Sequence, residues 1–224
     1  MTDDFQRHIH EHHHTEDSLV YGEIDLQGFC DLLLNHIPHD SGDIFYDLGS
    51  GSGRAVFAAR FVGDFKECVG IELLSNLHEL ASSVKSLYRF QYQHKFIHQH
   101  VQFVCSDLLD YDGWWKDGTV VYVPNLKDQI AEKAIKLRTG AFLICLKKFE
   151  SATFNSVFDL VKELPVAMSW GESNVYIPAT INWLKFIGRR SELLPEVIVA
   201  HPLTLLHAQA FKLLLCLHLA AVRG

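Results

Sequence analysis

Three glycines, Gly49, Gly51 and Gly53, alternate with two serines directly behind the apolar run 44–48, and an acid, Asp47, stands two residues ahead of the first glycine. Glycines placed there let the chain turn sharply out of a strand into a helix, and let a ligand approach the backbone without meeting a Cβ. The spacing departs from the dinucleotide fingerprint G-x-G-x-x-G, which wants its third glycine at position 54, where this chain has Arg54. The pattern is D-x-G-x-G-x-G instead. A carboxylate so close to the loop repels a pyrophosphate, but it suits a ligand carrying positive charge, such as the ammonium and sulfonium of S-adenosylmethionine. Two further acids fall where such a ligand needs them. Glu72 closes the next apolar run in "VGIELL", about the spacing at which an acid reaches ribose hydroxyls. Asp107 follows the third run in "VCSDLL", where it can accept a hydrogen bond from an adenine amino group. Ser50 inside the loop and Leu108 directly behind Asp107 join the cofactor-contacting set. A single acid at a strand end is more often a helix cap. Three in order around a glycine loop point to the cofactor.

These residues need a scaffold that brings successive strand ends together. From Ile44 to Ile177 short apolar runs alternate with longer helical patterns, the signature of a parallel sheet built from βαβ units. Strands are expected at "IFYDLG", "ECVGIE", "VQFVCSD", "TVVYVPN" and "AFLICLKK", with helices starting near Arg54, Ser75, Leu126 and Thr153. The second helix, "SNLHELASSVKSLYRFQYQHKFIHQ", is expected to run beyond five turns and to bury Leu77, Leu80, Ala81, Val84, Leu87 and Tyr88 on one face. After the fifth strand the pattern predicts a helix around "FNSVFDLVKEL", ended by Pro165, and then a hairpin of "VAMSW" and "NVYIP".

With 224 residues, 48% of them hydrophobic, the chain can bury the core of one sizeable domain. Its formal charge of −7 argues against nucleic-acid binding through a broad basic surface. The five cysteines, Cys30, Cys68, Cys105, Cys145 and Cys216, show no CxxC spacing and mostly fall in apolar runs, so they read as buried thiols of a reducing compartment. The opening "MTDDFQRHIHEHHH" lacks an apolar stretch behind a basic one, and no secretory signal is expected. Its five histidines at 8–14 offer ligands for a transition metal, but nothing holds them in a geometry; a flexible polar tail over residues 1–19 is favoured, and no metal site is expected. From Ala179 onward the character changes: "LTLLHAQAFKLLLCLHLAAV" is long enough to cross a bilayer, yet Lys212, His207, Gln209 and His218 interrupt it on different sides. A membrane span is disfavoured against a docked helix or a tail that arises from an alternative reading of the message. The resulting organisation is a tail over 1–19, a catalytic domain over 20–178 and an apolar extension over 179–224.

With "VYGEI" ahead of the first strand, "YDLGSGSG", "VGIE" and "SDLL" through the middle, and "VYVPNL", "KKF" and "SWGESNVYI" beyond, the chain resembles class I methyltransferases. More narrowly it resembles the disruptor-of-telomeric-silencing family, the histone lysine methyltransferases without a SET domain, over roughly Val20 to Pro178. The resemblance implies a three-layer α/β Rossmann-like fold, with a seven-stranded, mostly parallel sheet whose last strand is antiparallel. It implies that Tyr21, Gly22 and Glu23 form a loop over the methionyl end of S-adenosylmethionine, with Tyr21 and Glu23 contacting it. Asn125 then stands beside the transferring methyl, and Trp170 with Tyr176 walls a lysine channel. The chain departs from the family in having Pro124 where a second asparagine is usual and Arg54 where a glutamine is usual, and it shows no basic segment like the family's nucleosome-binding extensions. The implied activity is methyl transfer to a protein lysine, with a histone or nucleosome as partner and an intracellular location, nuclear if the substrate is a histone. The alternatives are a different acceptor, small molecule or side chain, and a non-catalytic cofactor-binding module.

Overall fold

The computed structural model describes residues 25–92, 94, 98–168 and 171–181. Tyr21, Gly22, Glu23 and Trp170, the histidine-rich tail, Cys216 and the apolar run at 203–222 lie outside the described residues.

The described chain opens with a helix that the periodicity did not announce, α1 (Leu26–His36). Asp25 starts it, its carboxylate accepting the Gly28 N–H at 2.8 Å and so satisfying one donor that the first turn leaves open. There follow β1 (Ile44–Leu48), α2 (Arg54–Val62), β2 (Glu67–Glu72), α3 (Ser75–Gln91), β3 (His100–Cys105), the short α4 (Gly113–Asp117) and β4 (Val120–Tyr122). The order closes with α5 (Asp128–Ala134), β5 (Phe142–Ile144), a single turn α6 (Ala152–Asn155), β6 (Phe158–Met168) and β7 (Gly171–Thr180).

The described strands form one seven-stranded sheet in the order β3-β2-β1-β4-β5-β7-β6. The first five are parallel, and β7 runs antiparallel to both β5 and β6. Parallel strands must be covered on both faces, which is why β1 and β2 are apolar almost throughout rather than alternating. On one face Phe45, Cys68, Tyr122 and Ile144 pack under α1, α2 and α3 through Phe29, Phe57 and Tyr88. On the other, Tyr46, Val69, Val121 and Leu143 pack under α4, α5 and α6 through Trp114, Ile130 and Phe154. These are the three layers the resemblance implies. The turn into β2 is held from inside: Arg60, 1% exposed, donates through Nη1 to the Phe65 carbonyl at 2.7 Å and through Nη2 to that of Gly63 at 2.8 Å.

Three expectations are corrected. The long helix ends at Gln91 after 17 residues, short of five turns, and Leu87 is 48% exposed while Ala81, Val84 and Tyr88 are buried. Asp128, not Leu126, begins α5. The helix expected across "FNSVFDLVKEL" is one turn followed by the strand β6. The error has a physical source, a bulge between Leu160 and Lys162 that inserts one residue into the pairing with β7. The extra residue flips the strand's parity, so Phe158 packs on one face of the sheet while Leu164 and Val166 pack on the other. Apolar spacings across the bulge therefore imitate a helix. Pro165, expected to stop that helix, lies within the outermost strand, where a missing N–H costs no inner ladder bond.

Phe29 is fully buried and meets the rings of Phe45 and Tyr122 with centroids 6.1 and 5.0 Å away, joining α1 to the sheet at the ends of β1 and β4. Phe29→Ala is expected to lower stability by about 3–5 kcal/mol in urea unfolding; a loss under about 1 kcal/mol would mean α1 is not part of the cooperative core.

Candidate active site

Going outward from β1, the strand order runs to β2 and β3 on one side and to β4 and β5 on the other. Loops leaving the C-terminal ends of β1 and β4 therefore diverge, opening the crevice where ligands of such sheets bind. The glycine loop fills one wall of it. Gly49 and Ser50 both donate their N–H to the Ile71 carbonyl at 2.9 Å, and the Gly53 N–H returns to the Ser50 carbonyl at 2.8 Å, so the loop is folded back over β2. Gly53 has φ +88°, and a Cβ there would sit 2.5 Å from Cζ of Phe103, so both backbone and space demand glycine. At Gly49 a Cβ would meet nothing within 4 Å, which marks the side from which a ligand can approach.

Gly70, inside β2, is a site residue that the sequence reading missed. A Cβ there would stand 2.6 Å from the Ser50 hydroxyl, so its absence makes room for the loop. The signal was present in "ECVGIE", since a glycine interrupting a buried strand marks close approach of another chain segment.

Glu72, 8% exposed, is committed to the backbone around it: Oε2 accepts the Gly51 N–H at 2.7 Å and Oε1 the Leu74 N–H at 2.9 Å. Asp107 organises the next loop, accepting the Leu109 N–H on Oδ1 at 2.8 Å, while the Leu108 carbonyl is fixed by the Trp114 indole N–H at 2.8 Å.

Asp47 differs from both. It is 2% exposed, and its Oδ1 is buried without a hydrogen-bond partner, as is the Ser50 hydroxyl. Burial first, and then the charge of Glu72, push the Asp47 carboxyl up to about 8. Beside it in the parallel register stands Tyr122, a second residue missed in the sequence, whose phenol is raised well above its ordinary range by burial and then by Asp47. Orphaned buried oxygens beside an open glycine surface fit a small ligand that brings hydrogen-bond donors and positive charge.

Of the residues expected on the acceptor side, Asn125 and Tyr176 flank the end of β5. Cys145 and Tyr176 exchange backbone hydrogen bonds at 2.9 and 2.8 Å, and the Leu146 N–H reaches the Pro124 carbonyl at 3.2 Å. The backbone at Tyr176 and that at Pro124, next to Asn125, thus both bond to the end of β5, and Tyr176 and Asn125 are both half-buried. Trp170, Tyr21 and Glu23 fall outside the described residues. Of the cysteines, Cys68 and Cys145 are buried, but Cys105, expected inside, is exposed at the end of an edge strand. Among the described residues no group of three or more His, Cys, Asp or Glu side chains stands where it could hold a metal ion, and no helix is long and apolar enough to cross a membrane.

The chain belongs to the family described as histone methylation protein DOT1, whose family model matches residues 7–176. It is 28% identical over 140 residues to the histone-lysine N-methyltransferase, H3 lysine-79 specific, of Drosophila melanogaster. That match covers 58% of this chain and 8% of the much longer relative. Among solved structures, a chain of the complex between the Haloferax volcanii Trm112 methyltransferase activator and its putative methyltransferase shares the fold at TM-score 0.51 and 12% identity, covering 68% of this chain and 88% of that one. TrmN from Thermus thermophilus does so at TM-score 0.50 and 14% identity, covering 70% and 48%. Fold and strand order are those of the Rossmann-like class I methyltransferases, with β7 as the antiparallel strand.

Two predictions follow from the acids. The folded protein holds the Asp47 proton up to about pH 8, whereas the unfolded chain loses it near pH 4, so between those values the unfolded state binds fewer protons and stability falls as pH rises. Asp47→Asn removes this term: the variant should match the parent near pH 4 and exceed it by a few kcal/mol at pH 8. A pH-independent difference in thermal unfolding would contradict the assignment. Glu72→Ala strands the Gly51 N–H and should cost about 1–3 kcal/mol in urea unfolding without any ligand present; an unchanged midpoint would remove Glu72 as the loop's anchor.

Proposed function

We propose that the protein binds S-adenosylmethionine in the glycine-loop crevice and transfers its methyl group to a lysine side chain of a protein, with a histone as the substrate to which the family points. The observation that carries this reading is the arrangement of two unlike half-sites across β4. One is a buried acid with an unpartnered oxygen beside an open glycine; the other is the end of β5, to which the backbone of Tyr176 and that of Pro124, next to Asn125, are both bonded.

The cofactor, when bound, supplies an electrophilic methyl carried on a sulfonium. Glu72 and Asp107 would take its ribose and adenine, and Asp47, Gly49 and Ser50 the amino-acid end. The remaining task is positioning, because displacement at carbon needs the attacking lone pair in line with the breaking bond and needs no covalent intermediate on the protein. A lysine of pKa about 10.4 is only about a thousandth neutral near pH 7.4, a cost of roughly 4 kcal/mol. An aromatic, water-poor channel offsets it by disfavouring the ammonium, and Tyr176 with Trp170 would wall that channel. Asn125 would orient the amine through its side-chain carbonyl. A histone substrate would place the activity in the nucleus.

The deciding assay is transfer of a labelled methyl group to isolated histones, nucleosomes and whole-cell extract. Label on a histone lysine is expected; label only on small molecules would replace the acceptor and leave the cofactor, and no transfer to anything would reduce the protein to a binding module. For the channel, Tyr176→Ala and Asn125→Ala should each lower the single-turnover rate by about 100-fold or more while cofactor affinity stays within a few-fold, since their contacts are to acceptor and transition state. With cofactor saturating, the parent rate should rise with pH between about 7 and 9 as the neutral lysine fraction grows. A flat profile, or variants that lose affinity in step with rate, would move Tyr176 back into the core.

A further inference from the structure

Asp47 and Glu72 are two carboxyl groups of one buried site, on neighbouring strands and on the same face of the sheet, and they are provided for unequally. Glu72 takes a backbone N–H on each oxygen, whereas Oδ1 of Asp47 takes none. Two carboxylates confined at low dielectric do not both stay ionised, and the proton goes to the one without donors.

The other groups around Asp47 give it no help. From β4, Tyr122 presents a buried phenol held neutral beside Asp47. From α1, what covers Tyr122 is the uncharged ring of Phe29. Arg54 opens α2, but the charge that bears on the Asp47 carboxyl is the negative one of Glu72.

We propose that Asp47 is a proton-exchanging specificity residue: it is a neutral acid in the ligand-free protein and releases its proton to solvent when an ammonium-bearing ligand seats, so that the amino-acid end of the cofactor is selected by its charge. The O–H bond of the carboxyl breaks, the proton leaves to buffer, the ligand keeps its ammonium, and the buried carboxylate gains the counter-charge it lacked. This rests on the cofactor reading above. It adds that nucleosides without the cationic end bind without moving a proton, so preference for the cofactor over such fragments grows with pH.

The test is titration calorimetry of the full chain at pH 7 in two buffers of different ionisation heat. One ligand is S-adenosylhomocysteine; the other is 5′-methylthioadenosine, which keeps the adenosine and thioether but lacks the amino-acid end. S-adenosylhomocysteine should release close to one proton, about 0.9 for a group titrating one unit above the working pH, and 5′-methylthioadenosine none. Affinity for the former should climb about tenfold from pH 6 to 7 and level off above about 8, while affinity for the latter stays flat. Asp47→Asn should abolish the release. Because that substitution also weakens a direct contact, infrared difference spectra of the parent provide the second measurement: adding S-adenosylhomocysteine should bleach the band of a protonated carboxyl. Binding of S-adenosylhomocysteine without proton release, equal release with both ligands, or release that survives Asp47→Asn would overturn the proposal and leave the cofactor reading standing. If neither ligand binds, both fall.

Discussion

The hydrogen bond from the Gly51 N–H to the Glu72 carboxylate is the contact on which the site depends. It joins residues 21 positions apart, and it ties a glycine-rich loop to the end of a buried strand. Three glycines in five residues give the loop its reach, at the cost of a backbone with many accessible conformations until something holds it. That freedom is removed from three directions: the Ile71 carbonyl takes two N–H groups, Glu72 takes a third, and the missing side chain of Gly70 admits Ser50 against the strand. The acid that a ribose would use is thus the acid that builds the wall behind it. Removing it for the sake of the ligand also dismantles the loop, so its effect on binding is never purely that of a lost contact.

The parallel half of the fold was readable because each of its signals is local. Apolar runs and amphipathic helices recur in order, one glycine turn opens the series, and the first three strand ends each carry an acid. The antiparallel half was readable only as a hairpin, because a bulge changes the strand period partway along and hides the first half of β6. The helix α1 escaped because its entry lies outside the periodic region and its signal is a single cap, Asp25. Spacing singles out Asp47, Glu72 and Asp107 as candidates, while it passes over Tyr122 and Gly70. Tyr122 works through its neighbour in the register, and Gly70 through the side chain it lacks, and neither relation is written in the residue's own surroundings along the chain.

The two half-sites are held with different stiffness. The cofactor side is packed between two covered layers, with Asp47 and Tyr122 side by side on adjacent strands beneath α1. The acceptor side hangs on a short antiparallel seam, where β5 meets β7 only at Phe142 with Ala179 and then at Cys145 with Tyr176.

The outer strand β6 shows how that edge is kept safe. It is 11 residues long and unpaired on one side within the described sheet, which makes it a ready template for another chain to add a strand. The bulge breaks its flat run of donors and acceptors near the start, Pro165 withholds one donor near the end, and exposed Asp159, Lys162 and Glu163 place charge between them. A foreign strand would find few consecutive residues in register before it met a kink, a missing N–H or a charge. The feature that disguised this strand in the sequence also discourages cross-chain aggregation, which for a sheet ending in its longest strand is a condition of staying in solution.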